Sequence, residues 1–344
     1  DGSRFRAESR LAGNADRAHT GPTMNVDFHY YAVRALAEAA GRPDAELIAW
    51  ASAWVDRAIH PYRVLEDGRS YDCPATQNYV FWDERTRDEV YLPFHFVPGD
   101  ADAAAALRRD GERNPWAVTP NGERAKELMV AAMKTGDPCR VGIAAHAFAD
   151  TWAHQNFTAR NEPFNALDPD SRLPAAGHLQ ALTRPDDPGG FWRDGRLLPE
   201  RSAIDNAARW TEAAKKLYRY FCVSMKRPFD DEDFLLERIE RVFRSPGGKG
   251  ERRADWTIEF DLEPFDARAR LEAAGLIDET AMDEPFRGYD KLLWLKAEAG
   301  RRLGGGEALR EVRADGRFAR SDLARFYEAA EEHRALARKL CADL

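Results

Sequence analysis

Three polar side chains stand at regular spacing in an otherwise apolar segment, His146-Ala-Phe-Ala-Asp150-Thr-Trp-Ala-His154. The spacing is i, i+4, i+8. At about 100° per residue the three drift only about 80° around a helix, so they share one face. Ala144, Ala145, Ala147, Ala149 and Ala153 surround them, with Phe148 and Trp152 interleaved. A polar stripe on so apolar a helix is not a solvent face. Buried His and Asp need partners, and a divalent metal ion meets the need of both. A metal-free His–Asp hydrogen-bond network is the competing explanation.

The rise along the helix bears on nuclearity. Four residues climb about 6 Å, so one ion can join neighbours; eight climb about 12 Å, too far for one ion to hold both His146 and His154. The expectation is two ions with Asp150 bridging them and one histidine on each.

The histidines are unevenly spread. Of the eight (19, 29, 60, 95, 146, 154, 178 and 333), seven fall by position 178. His29 lies in Asp27-Phe-His-Tyr-Tyr and Asp56 in Trp54-Val-Asp, an acid closing an apolar run that invites a cationic partner. His178 follows Ala176-Gly177. His95, in Pro93-Phe-His-Phe-Val-Pro98, reads as a ligand or a proton carrier behind one. Asp27 and Asp186 are weaker candidates. His60, beside Pro61, reads as a surface residue, and His19 and His333 as solvent histidines.

The elements that must position these residues read as helices. One runs from Tyr31 to Ala40 and stops at Gly41; a second follows Asp44; others cover Glu123 to Lys134, Pro138 to Phe157 and Ala203 to Val223. Further amphipathic segments lie near 231–245, 266–275, 288–303 and 321–341. Residues 61–122 and 160–202 are Pro-rich and irregular, with one extended run at Tyr91–Val97. The expected fold is all-α, a helical metalloprotein core wrapped by long loops. Residues 1–23, polar and Arg-rich, read as a disordered leader ahead of Met24. Residues 24–245 read as a helical metal-binding domain. The loop Ser245-Pro-Gly-Gly248 opens a helical C-terminal extension, 246–344, with no chemistry of its own; it covers the site or supplies a homodimer surface.

Composition narrows the partners. A net charge of −8 argues against duplex nucleic acid, which calls for a basic face. It leaves room for a phosphate-bearing, small-molecule or lipid-like substrate, because a metal brings its own positive charge. No stretch reaches the roughly 18 apolar residues of a transmembrane span, and no apolar export signal is evident. The four scattered cysteines (73, 139, 222, 341) fit free thiols in a reducing cytoplasm.

The segments Met24-Asn-Val-Asp-Phe-His-Tyr-Tyr31, Ala51-Ser-Ala-Trp-Val-Asp56 and Ala145-His-Ala-Phe-Ala-Asp-Thr-Trp-Ala-His-Gln-Asn-Phe157 resemble an uncharacterised bacterial family that opens with the same Asp-Phe-His-Tyr signature. The similarity spans roughly residues 24–225. More distantly, the order His, Asp, His-x3-Asp, His, His is similar to the zinc-dependent phospholipase C and P1 nuclease superfamily of helical enzymes. That resemblance implies His29, Asp56, His146, Asp150, His154 and His178 as ligands of two or three zinc ions. Two features depart from it: no N-terminal Trp is evident, and His178 is followed four residues on by Leu182 instead of a carboxylate. The expected activity is metal-dependent hydrolysis of a phosphoester or related ester, with Asp150 bridging the ions or steering the water. Zinc is the first expectation, with iron or manganese as alternatives. A non-haem iron oxygenase and a non-catalytic, metal-stabilised binding protein are the other readings.

Overall fold

A computed structural model describes residues 25–77, 83–246, 249–276 and 310–344. The expected leader, His19 and the segment near 288–303 lie outside the described residues.

The helix Pro138–Ala153 runs through the centre, and every one of its residues is buried. Its start is set locally. Gly136 takes φ 69° and ends the preceding helix, Glu123–Thr135. The Asp137 carboxylate then accepts from the Arg140 N–H at 3.0 Å, and Pro138 occupies the first turn, where no amide donor is needed. Against this helix pack Ala45–Val55, Glu123–Thr135, Asn206–Ser224 and the C-terminal Asp322–Leu340. Helices Glu232–Phe243 and Lys249–Phe260 continue the layer beyond Asn206–Ser224. One hydrophobic cluster runs from Val26 to Ala337, so residues on both sides of Ser245 share it. It takes in Tyr30, Tyr31, Trp50, Trp54, Phe148 and Trp152.

The contact with Ala45–Val55 is unusually close at Gly142. A Cβ there would lie 2.3 Å from the Ile48 carbonyl oxygen and 2.8 Å from the Ala51 Cβ. Only glycine lets the two backbones approach so far. One turn further on, the same approach brings the Ser52 carbonyl to His146.

The all-α expectation is corrected, because the fold is mixed α/β with two small sheets. Strands β1 (Tyr62–Glu66) and β2 (Arg69–Cys73) form an antiparallel hairpin. It turns through Asp67-Gly68, both at positive φ (47° and 74°), as a two-residue hairpin loop requires. The second sheet pairs β3 (Phe191–Arg193) antiparallel with β4 (Ala203–Asp205). Strand β5 (Arg310–Arg313) adds to β1 in parallel from far along the chain. The junction is fixed by Glu66, whose buried carboxylate accepts from the N–H groups of Phe318 and Ala319 at 2.6 and 3.0 Å. The extended run expected at Tyr91–Val97 is instead helical in its first part: a π-helical turn, Arg87–Tyr91, passes into the short helix Leu92–Phe94, and the chain leaves regular structure after His95.

His333 is a further correction. It is fully buried, not solvent-facing. Its Nε2–H donates to the Pro93 carbonyl at 3.0 Å, its ring stacks on Phe94, and Nδ1 has no partner. Burial pushes its pKa down to about 3. The unfolded chain takes that proton near pH 6.5, so stability from the neutral ring is complete above 6.5 and declines as pH falls toward 3. Replacing the ring by His333→Gln should reduce the slope of unfolding free energy against pH by about 1.4 kcal/mol per unit in that window. Denaturant titrations at several pH values measure it, and equal slopes would defeat the assignment.

Candidate metal centre

Five elements deliver the polar side chains to one place. The π-helical segment Asp27–Ala32 carries His29; such segments are rare and concentrate at functional sites. Asp56 caps the C-terminal end of Ala45–Val55, and His95 follows Leu92–Phe94 directly. The central helix carries His146 and Asp150 and ends at His154. His178 and Asp186 come from the 160–202 region, either side of a single 3-10 turn, Leu179–Ala181.

Two groups result. The inner group centres on Asp150. Its Oδ1 lies 3.1 Å from His29 Nε2, and its Oδ2 lies 3.1 Å from His95 Nδ1 and 3.3 Å from His146 Nε2. Asp56 Oδ1 approaches the same nitrogens of His146 and His95 at 3.6 and 3.9 Å. The outer group is His154, His178 and Asp186. His154 Nε2 lies 3.3 Å from Asp186 Oδ1, and His178 Nε2 lies 3.6 Å from Asp186 Oδ2. Two ligand sets that could hold an ion, His29/Asp56/His146 and His95/His146/Asp150, overlap in the inner group; His154/His178/Asp186 forms a third.

Tautomers follow from the backbone. His95 Nε2–H donates to the Thr76 carbonyl at 2.9 Å, and His146 Nδ1–H to that of Ser52 at 2.8 Å. His154 Nδ1–H donates to the His95 carbonyl at 2.6 Å, and His178 Nδ1–H to that of Leu182 at 3.0 Å. Leu182 presents that carbonyl from a sparsely populated backbone conformation, φ 56° and ψ −130°. Each ring therefore commits one N–H to a carbonyl and turns its other nitrogen toward a carboxylate. Outer hydrogen bonds of this kind fix imidazole ligands of metals.

Two carboxylates respond oppositely to the shared site. Burial raises the Asp56 pKa, and neighbouring Asp150 adds to the rise, against the pull of His146 and His95. Burial also opposes ionisation of Asp150, but His146, His154 and His29 hold its pKa well below the usual range. Asp150 is thus the permanent anion of the inner group.

The structure brings together His29, Asp56, His95, His146 and Asp150, and separately His154 and His178. His146 and His154 fall in different groups, as the rise between them implies. Asp150 Oδ2 lies 3.3 Å from His146 Nε2 and 3.7 Å from His154 Nδ1, while Nε2 of His154 points to Asp186. The carboxylate missing four residues after His178 is supplied eight residues after it, by Asp186. Asp27 falls in neither group: Arg252 Nε and Trp256 Nε1 donate to its carboxylate at 3.1 and 3.2 Å. All four cysteines are free and buried, and none joins a metal-capable group among the described residues. Arg209 was not singled out in the sequence. It donates to the carbonyls of Trp152 and Ala153, placing positive charge at the negative end of the central helix beside His154.

Gly142→Ala tests how the inner group is built. Forcing the helices apart should move the Ser52 carbonyl off His146, cost about 1–3 kcal/mol of stability and weaken metal binding at least several-fold. Calorimetric metal titration checks it; unchanged affinity would show that the close approach does not orient His146.

No helix among the described residues is long and apolar enough to cross a membrane. No curated protein and no solved structure matches the chain, and nothing links it to the phospholipase C and P1 nuclease superfamily that its ligand order resembles. Over residues 24–341 the chain matches DUF6765, a family of unknown function, and it belongs to that family.

Proposed function

We propose that the inner and outer groups each hold a divalent metal ion and that the pair serves hydrolysis of a phosphoester or related ester in a small-molecule or lipid-like substrate. The observation that carries the metal reading is the crowd of electron pairs around Asp150. Three ring nitrogens face its two oxygens, and two of them, His95 Nδ1 and His146 Nε2, lie 3.3 Å apart. A proton on each would set two imidazolium rings against one another. One metal ion would satisfy His95 and His146 together with Asp150, and His29 joins Asp56 and His146 in the overlapping set. Around a tetrahedral zinc with bonds near 2.05 Å, neighbouring ligand atoms stand about 3.3 Å apart, within the 3.1–3.9 Å range of the inner group and the 3.3–3.6 Å range of the outer one. Nitrogen and carboxylate donors suit zinc first and accept iron or manganese.

Bound ions would lower the pKa of a coordinated water and stabilise charge developing on a phosphoryl oxygen. The chain's own part is access and orientation. His146 and His95 are closed off, whereas the side chains of Asp56, Asp186 and His178 keep 9%, 12% and 19% of their exposure. Solvent and substrate therefore reach the site from the Asp56 and His178 side. Asp56, the carboxyl most ready to hold a proton, stands on that side.

Metal analysis and a phosphomonoester, phosphodiester and carboxylic ester panel test the proposal. The expected result is two ions per chain, turnover abolished by a chelator and restored by a divalent ion, and activity falling below about pH 6 as histidine ligands protonate. Metal-loaded protein without turnover on the panel, but consuming oxygen with iron bound, would replace hydrolysis by oxygen chemistry.

A further inference from the structure

We infer that Arg252 is a positioning residue that holds the carriers of both metal groups in register, so that each group is formed before an ion arrives. The inference rests on the metal reading above and assigns part of that site's assembly to the helix Lys249–Phe260.

Arg252 is 4% exposed, and its guanidinium lies between two acids from distant segments. Nε donates to Asp27 Oδ2 at 3.1 Å, and Nη2 donates to Asp187 Oδ1 at 2.6 Å. Asp27 is two residues before His29 in the π-helical segment; Asp187 directly follows Asp186. One planar fork thus ties a ligand carrier of the inner group to one of the outer group. One turn on, Trp256 Nε1 donates to the other oxygen of Asp27 at 3.2 Å. Gly189 makes room, since a Cβ there would lie 2.9 Å from Arg252 Nη1. From the opposite side, the Asn206 side-chain amide donates to the carbonyls of Arg184 and Asp187 at 2.5 and 2.7 Å. The loop that presents Asp186 is therefore clamped by two side chains.

His29 needs such support more than the other ligands do. His95, His146, His154 and His178 are each oriented by a backbone carbonyl, whereas the Nδ1 of His29 is buried with no hydrogen-bond partner. Its ring stacks on His146 with centroids 3.8 Å apart and its Nε2 faces Asp150, so its placement depends on the segment that carries it, which Arg252 and Trp256 fix through Asp27.

The test uses the full chain as Arg252→Met, Arg252→Lys, Asp27→Asn and Asp187→Asn, with zinc or manganese alone as the probe. Asp187 is partly exposed, with 39% of its side chain accessible, so Asp187→Asn keeps the experiment informative even where Arg252→Met folds poorly. Stoichiometry, affinity and the melting-temperature rise on metal addition are compared with wild type. Arg252→Met should bind both ions at least tenfold more weakly, Asp187→Asn should weaken the outer ion alone, and Asp27→Asn the inner one. Arg252→Lys, a point charge without the fork, should restore folding more than affinity. A purely structural role would lower the metal-free melting temperature yet leave metal affinity and the metal-induced rise unchanged; that result overturns the inference. Wild-type protein that binds no divalent ion overturns the metal reading and the positioning role with it.

Discussion

Asp150→Ala is expected to bind no ion in the inner group, to keep the outer ion, and to lose nearly all hydrolytic activity. Both oxygens of Asp150 face ring nitrogens, Oδ1 toward His29 and Oδ2 toward His95 and His146. Without it the three histidines retain only Asp56, which stands 3.6 to 3.9 Å from two of them and resists ionisation in its buried setting. Loss of an outer hydrogen-bond partner alone costs a metal site about 10- to 100-fold in affinity; loss of the central anionic ligand should cost on the order of 100-fold or more. Asp150→Asn separates charge from shape, since the amide keeps the volume but offers one oxygen and no negative charge. Atomic spectroscopy of dialysed protein counts the ions. Asp150→Ala protein carrying both ions would remove Asp150 from the centre of the site.

How much of this was legible follows from what kind of signal each residue leaves. The central stripe was readable because helical spacing concentrates polar residues on one face and the Ala-rich surroundings exclude water. That spacing also set His154 apart from His146, but a rise along an axis says nothing about which ring nitrogen is free. The hydrogen bond from His154 Nδ1–H to the His95 carbonyl decides that, and it joins residues 59 positions apart. Asp186, beside Pro185 and Asp187, read only as a weaker candidate. Only the clamp from Asn206 and Arg252 brings it to His178. Of the sheets, the β1–β2 hairpin did leave a trace. Asp67-Gly68 follows Tyr62 and Val64 at alternating positions, the pattern of a two-residue turn. The partner strand β5 could not be read, since its pairing with β1 depends on contacts across about 250 residues. His333 was misjudged for the same reason: nothing near it in sequence announces the Pro93 carbonyl that it meets.

Chelation is expected to lower the melting temperature on the order of 10–20 °C, and by more at pH 9 than at pH 6.5. An ion held at a thousand times its dissociation constant stabilises the folded chain by about 4 kcal/mol, and a chain of this size shifts by roughly 1.5–2 °C per kcal/mol, so two ions account for about 12–16 °C. The pH dependence comes from His154. In the metal-free chain burial opposes its protonation, but Asp150 and Asp186 outweigh burial and push its pKa up to about 9. Because the folded value lies above the unfolded 6.5, the ion pair's contribution is complete below pH 6.5 and is lost as pH rises through 9. A metal ion on Nε2 displaces that proton, so the loaded protein has no such loss, and below pH 6.5 protons compete with the metal for the same nitrogen. The gap between loaded and chelated melting temperatures should therefore widen between pH 6.5 and 9, and metal binding at pH 7 should release a proton that a weakly buffered indicator detects. In His154→Asn protein both effects should vanish, with the inner ion still bound. A gap that stays constant across this range in wild-type protein would mean that Nε2 of His154, though aimed at Asp186, is not where the outer ion binds.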